Sequence, residues 1–347
     1  MRILFNMAHP GQVHLFKNAI WALEERGHAC KITTVDKDVS LHLLRAYGFE
    51  YDVVGSAKPS LFSKATELLK IEYNLYGIAR KFKPDILVGG VGNAYVAHVG
   101  KIIRKPSIVF DDTEHAKIEH TITDPFASVI CTPSCYRLDL GEKQVRYNGY
   151  HELAYLHPDY FTPNPEILSE LGLTEDDPFI ILRFVSWEAS HDKGHRTLTL
   201  EDKFTAVNKL KEYGRVLITS ENKLPPEFEE YRITVSPEKM HHLLYYATLL
   251  YGDSSTMASE CAVLGTHSIF CDYAGRGYTD EEEELYDLVY NFYNENTMGK
   301  DSLKKALELL KDPDLKEKGR QKRDILLADK IDVTKFMVEF MEKYSKN

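Results

Sequence analysis

Long apolar runs are missing from this sequence. No stretch of its 347 residues approaches the ~18 consecutive apolar residues that cross a bilayer, so no membrane span is expected. The opening Met-Arg-Ile-Leu-Phe-Asn-Met-Ala-His is too short an apolar stretch for a signal peptide and reads as a first β-strand. Cysteine is sparse and odd in number: Cys30, Cys131, Cys135, Cys261 and Cys271. Cys131 and Cys135 have no matching second pair, so a zinc site or other bound metal is not expected, whereas reduced thiols in a cytoplasmic protein are. Positive charge is in deficit, 43 Lys and Arg against 53 Asp and Glu for a net −10. That balance excludes a dedicated nucleic-acid binder, which must offer dense cations to phosphate. A locally positive pocket for a small anionic ligand stays compatible with it. Low-complexity segments and short repeats are absent, and the acidic run 281–284 and basic cluster 316–323 read as solvated helix faces.

What is present is a globular composition, 43% hydrophobic and 28% charged. The length exceeds one ordinary hydrophobic core, so two domains are expected. Strands at 3–7, 29–35, 51–54, 85–88, 107–110 and 128–131 alternate with helices at 13–25, 39–47, 61–82 and 94–103. Segment 85–88 is apolar without alternation, the mark of a strand buried on both faces. Pro158, Pro163 and Pro165 then break the rhythm, and 150–165 reads as a linker. Alternation resumes with strands at 179–184, 216–219, near Ile233, at 249–251 and at 268–271, and helices at 200–213, 237–246 and 256–264. The result is an α/β chain with two doubly wound parallel sheets: an N-terminal Rossmann-like domain at 1–155, a second at 165–325, and a terminal helix at 326–347 packing back on the first.

Three strand ends and one further loop collect chemistry-bearing residues. Tyr251-Gly-Asp-Ser-Ser-Thr leads from a strand into a helix whose first N–H groups have no intrahelical partner. Ser254, Ser255 and Thr256 beside those amides suit a diphosphate, and Glu260, one turn on, suits a ribose diol. The plain alternative is that Ser254 only caps the helix. Ala8-His9-Pro10-Gly11-Gln12-Val13-His14 lies between the first strand and helix, at the edge where parallel sheets bind ligands. There His9 and His14 can hold or move a proton near neutral pH, or simply face solvent. Asp111-Asp112-Thr113-Glu114-His115 crowds three carboxylates at another strand end, which is costly without a cation, a sugar or a shared proton. Arg183, His191 and Lys193 bracket a long polar loop after the first strand of the second domain, and Arg276 follows a later one.

The segment around Asp253 resembles the donor-binding signature of GT-B-fold proteins, in particular the non-hydrolysing UDP-N-acetylglucosamine 2-epimerases. Their Asp-Ser-Gly-Gly cradle and following Glu fall on Asp253, Ser254, Ser255, Thr256 and Glu260. Over nearly its whole length the chain resembles the domain of unknown function 354 family, grouped with GT-B glycosyltransferases. The resemblance implies two Rossmann-like domains around a cleft faced by His9, His14, Asp112, His191, Ser254 and Glu260. It implies diphosphate binding by Ser254, Ser255, Thr256, Arg183, Lys193 and Arg276, and a catalytic acid at Asp112 or Glu114, with His14, His9 and His191 as further acid/base candidates. Ser255 and Thr256 replace the two glycines, so hydroxyls must do what close backbone approach does there. Gly90-Val91-Gly92-Asn93 lacks the epimerases' further catalytic Asp, which turns the expectation toward glycosyl transfer. Epimerisation or hydrolysis of the same substrate is the alternative, and a non-catalytic nucleotide-sugar binder the third reading. The implied partners are a nucleoside diphosphate sugar and an unidentified acceptor, with no separate cofactor, and peripheral contact with a membrane stays open.

Overall fold

The structure, a computed structural model, describes residues 1–56, 61–185, 197–220 and 223–344. His191 and Lys193 lie outside these residues. The chain divides into two compact units, Met1–Tyr155 with Ile331–Asn347, and Leu156–Lys330.

The first unit runs β1 (Arg2–Met7), α1 (Pro10–Glu25), β2 (Ala29–Asp36), α2 (Ser40–Ala46), β3 (Tyr51–Ser56), α3 (Leu61–Phe82), β4 (Ile86–Gly90), α4 (Ala94–Ile103), β5 (Ser107–Phe110), α5 (Lys117–Thr123), β6 (Val129–Pro133), β7 (Gln144–Tyr147) and a single turn α6 (Leu153–Leu156). Its seven strands are all parallel, in the order β3-β2-β1-β4-β5-β6-β7. The central strands β4 and β5 are wholly buried and unalternating, because helices cover both sheet faces. Successive side chains along a strand point to opposite faces. Leu4, Leu87, Val109 and Ile130 therefore meet Ile71 and Leu75 of α3 and Val96 and Val99 of α4 in one core cluster. On the opposite face Phe5 and Phe110 close on Phe16 of α1, with ring centroids 5.6 and 5.8 Å apart.

The second unit runs α7 (Glu166–Glu170), β8 (Phe179–Arg183), α8 (Leu200–Leu210), β9 (Arg215–Thr219), α9 (Met240–Tyr246), β10 (Leu249–Gly252), α10 (Ser255–Leu264), β11 (Ser268–Cys271), α11 (Gly277–Glu284), β12 (Val289–Phe292), α12 (Met298–Leu309) and α13 (Leu315–Asp329). Its five parallel strands take the order β12-β11-β10-β8-β9. The last helix, α14 (Val333–Tyr344), belongs to the first unit and packs on α1. There Thr334 Oγ1 and Asn18 Nδ2 both donate to the carbonyl of Ala154, at 2.7 and 2.8 Å.

One expected strand fails to form. Around Ile233 there is only an isolated bridge between Ile218 and Arg232, because Pro225 and the 3-10 turn Pro226–Tyr231 occupy the approach to the sheet edge. Two strands were not anticipated. β7 and β12 are four-residue strands at the sheet edges, too short and too polar (Gln-Val-Arg-Tyr, Val-Tyr-Asn-Phe) to announce themselves.

In each sheet the strand order reverses once, between β1 and β4 in the first and between β8 and β10 in the second. Open parallel sheets bind ligands outside the carboxyl ends of the strands at such a reversal.

Candidate functional site

In the second unit the reversal brings the ends of β8 and β10 into register, with Arg183 opposite Gly252. A Cβ on residue 252 would stand 1.9 Å from the Arg183 carbonyl oxygen, so only glycine permits this approach. Gly252→Ala should lower stability by roughly 1–3 kcal/mol through overpacking, seen as a drop in the denaturation midpoint. An unchanged midpoint would show that the strand ends give way freely. Next, the Asp253 amide donates to the Arg183 carbonyl at 3.0 Å, and its carboxylate accepts the Val185 N–H at 2.8 Å. Asp253 thus ties the two loop starts together. Burial raises its pKa to about 6, against the Val185 amide and the charges of Lys203 and Arg183. Burial in turn lowers the pKa of Lys203 on α8.

Ser254 is the N-cap of α10, its hydroxyl accepting the Met257 N–H at 3.4 Å, while Thr256 stands exposed. No acidic residue sits in the first turn of α10, where the helix dipole places partial positive charge. Glu260 lies on the buried side of the same helix, 6% exposed, with Oε1 accepting from His241 Nε2 at 2.9 Å. Phe161 stacks on the adjacent His242 at 4.8 Å. Arg276 stands in the turn after β11. Its guanidinium donates to the Gly275 carbonyl and lies 3.5 Å from Asp272, which offsets its charge.

In the first unit, His9 caps α1 by accepting the Gly11 N–H on Nδ1 at 3.2 Å, and remains exposed. Gln12 links the two strand ends of the reversal, donating to the Val91 carbonyl at 2.9 Å and accepting the Ala8 N–H at 2.8 Å. His14 is one turn further in and buried, with Nδ1 3.1 Å from the Tyr47 hydroxyl and its ring against Tyr155.

The densest ionisable group is at the end of β5. Asp111 and Asp112 follow β5 directly, and each meets a histidine. Asp111, 2% exposed, accepts from Tyr136 at 3.0 Å and from the Thr113 N–H at 2.8 Å, and lies 3.3 Å from His120 Nδ1. Burial raises its pKa to about 7, while a hydrogen bond to Asp124 raises His120 to about 9. Asp112 is less enclosed, its side chain 18% exposed, and lies 2.9 Å from His151 Nδ1. Thr113 Oγ1 donates to its other oxygen at 2.8 Å. Burial works against protonation of His151, but the Asp112 charge and hydrogen bond outweigh it, so the pKa is raised. Glu114 accepts the Arg137 N–H at 3.2 Å.

Arg183 and the Ser254–Thr256 turn therefore meet at one reversal, with Glu260 on the same helix as that turn. Asp112 and Glu114 share the β5 end, whereas His9 and His14 lie at different depths of α1. Sequence reasoning missed His151, His120, Tyr136 and His241. His151 follows the undetected β7, and His241 sits in the apolar helix stretch Met-His-His-Leu-Leu, where neither residue carries a motif.

Two all-parallel α/β units, each with polar groups gathered at the carboxyl ends of its strands, define a GT-B-like fold. The solved structure of UDP-GlcNAc 2-epimerase from Neisseria meningitidis bound to UDP-GlcNAc aligns with a TM-score of 0.70, at 12% identity, over 99% of this chain and 100% of that one. The spinosyn rhamnosyltransferase SpnG with spinosyn aglycone aligns with a TM-score of 0.65, at 14% identity, over 99% and 100%. The chain belongs to the family described as protein of unknown function DUF354, whose model matches residues 1–345. A curated relative, the uncharacterized protein MJ0665 of Methanocaldococcus jannaschii, is 23% identical over 279 residues, 78% of this chain and 81% of its own length.

Proposed function

We propose that this protein is a glycosyltransferase that takes its sugar from a nucleoside diphosphate sugar, with the nucleotide held by the second unit. The observation that carries the reading is the β8–β10 reversal, where Gly252, Asp253 and Ser254 lead into a helix whose first turn holds no acid, beside Arg183, with Glu260 further along the same helix. Amides and the guanidinium would stabilise the departing diphosphate without an obligatory metal, and Glu260 would accept the ribose hydroxyls. In the transfer step the acceptor hydroxyl gives its proton to Asp112, its oxygen bonds to the anomeric carbon, and the bond from that carbon to the diphosphate oxygen breaks. His151 orients Asp112 and stabilises its charge.

Epimerisation is a second reading, favoured by the neighbouring epimerase structures. Against it stands Asn93 just after β4, which is buried, uncharged and committed to the Asn6 carbonyl at 2.6 Å.

The test has two arms. Isothermal titration should show uridine diphosphate binding more tightly than uridine, with added salt weakening only the diphosphate; equal affinities would overturn the diphosphate assignment. Nucleotide-sugar panels analysed by chromatography should release nucleoside diphosphate only when an acceptor is added. A new sugar formed without acceptor would instead establish epimerisation or hydrolysis.

A further inference from the structure

Most large apolar side chains on a protein surface occur singly and need no explanation. Here they do not. Among the described residues the five most exposed large apolar side chains are Tyr73 (75%), Ile118 (69%), Leu69 (67%), Ile325 (63%) and Ile102 (62%). Four of these five belong to one layer of the first unit. Leu69 and Tyr73 are on α3, Ile102 is on α4 and Ile118 on α5. The helices are neighbours: α3 packs on α4, and α4 on α5. At the α4–α5 seam His98 hydrogen-bonds the Ile122 carbonyl at 2.7 Å and stands edge-on to Phe126, which is itself 43% exposed.

The same layer inverts the charge balance of the chain. Lys70, Arg80, Lys81, Lys101, Arg104, Lys105 and Lys117 are all exposed on it. Its carboxylates are fewer, and most are occupied. Glu67 is buried and lies 3.5 Å from Lys70, Glu72 is held by His98 at 2.5 Å, Asp124 lies 3.4 Å from His120, and Asp85 is 3.9 Å from Lys105; Glu119 is half-buried. Between the end of α4 and the turn before β6, a groove is lined by Lys101, Arg104, Lys105, Lys143 and Phe126. A protein of net charge −10 has thus placed cations and four of the five most exposed large apolar groups among its described residues on one helical layer.

We propose that the α3–α4–α5 layer docks this protein on the surface of an anionic lipid bilayer. Tyr73, Leu69, Ile102, Ile118 and Phe126 enter the headgroup–acyl boundary, and the surrounding Lys and Arg meet lipid phosphates. Charge complementarity selects this occupant. A second copy of the chain would set two cationic faces against each other, and a nucleic acid would use the cations but leave the apolar groups without a role. The rest of the acidic surface is repelled by the same membrane, so docking has one orientation. The proposal is independent of the nucleotide reading, which concerns the second unit.

Vesicle flotation of the full chain tests it, using phosphatidylglycerol–phosphatidylcholine vesicles against pure phosphatidylcholine. The protein should float with the anionic vesicles, less so as salt rises. At about a fivefold effect per cation, Lys101→Gln/Arg104→Gln should weaken partitioning about thirtyfold. Tyr73→Ser/Ile118→Ser should weaken it at least tenfold, since two buried apolar side chains are removed. Both pairs are exposed, so melting temperature and uridine diphosphate affinity should match the unmodified chain. Equal flotation on neutral vesicles, no flotation on either, or anionic binding unaffected by both double variants would each overturn the proposal. So would a self-associated species in sedimentation velocity that Tyr73→Ser/Ile118→Ser dissociates, or tight binding to a DNA duplex that Lys101→Gln/Arg104→Gln abolishes. Should a variant fail to fold, the comparison of lipids and the salt dependence of the unmodified chain still decide.

Discussion

Replacing Asp112 by Asn should lower turnover on the order of a hundredfold or more, while leaving uridine diphosphate affinity nearly unchanged. The substitution is nearly isosteric. The amide oxygen can still accept from Thr113 Oγ1, which now lies 2.8 Å from Oδ1, so the local backbone has little reason to move. What disappears is the charge. Without it the carboxylate can no longer take a proton, and the buried His151 loses the partner that holds its protonated form. His151 should then titrate below its present value, because burial disfavours its charged form and only the charges of Glu152 and Asp111 remain to support it. A variant such as His151→Gln separates the two roles. It keeps the carboxylate but removes the ring that positions and charges it, so it should shift the pH profile of turnover and cost less than Asp112→Asn. If Asp112→Asn turns over normally, the acid/base role passes to Glu114, His14 or His9. Asp112 belongs to the first unit and the residues proposed to bind nucleotide to the second, which is why the two effects can be read separately.

The fold was legible in the sequence where burial is strongest. Unalternating runs such as Ile-Leu-Val-Gly-Gly and Ser-Ile-Val-Phe have no stable alternative to a strand covered on both faces, and they form β4 and β5. Edge strands have weaker constraints: β7 buries only Tyr147 of its four residues, and nothing in its pattern separates it from a loop. The ionisable groups divide in the same way. Asp111, Asp112, Ser254 and Glu260 were visible because each closely follows a readable strand. Their partners were not, because Asp111 to His120 is a span of nine residues, Asp112 to His151 of thirty-nine, and Glu260 to His241 of nineteen backward along the chain. Pairing across such distances depends on which helices and loops share a sheet face, and local periodicity does not carry that information. The depth of His14 was hidden for a related reason. A loop histidine and a histidine one turn into α1 look alike in sequence, yet only the second is packed between Tyr47 and Tyr155.

Glu260→Gln should weaken uridine diphosphate binding by about ten- to a hundredfold. The carboxylate is 6% exposed, so any hydrogen bond it makes to a ribose diol is shielded from water. A hydrogen bond to a charged group is worth about 1.5–3 kcal/mol, which converts to roughly that factor in affinity. Glutamine preserves shape, and its amide oxygen can still accept from His241 Nε2, the 2.9 Å contact that fixes the native side chain. The protein should consequently keep nearly its normal melting temperature, and that is the control. A fall in affinity with a large fall in melting temperature would mean that the buried His241 pair, and not the ribose, was lost. A stable variant with weaker uridine diphosphate binding but unchanged inorganic diphosphate binding places the defect at the ribose, because the proposed diphosphate contacts come from Arg183 and the first turn of α10. A stable variant that binds uridine diphosphate as tightly as before removes Glu260 from the site and, with it, the assignment of the β8–β10 reversal to a nucleotide.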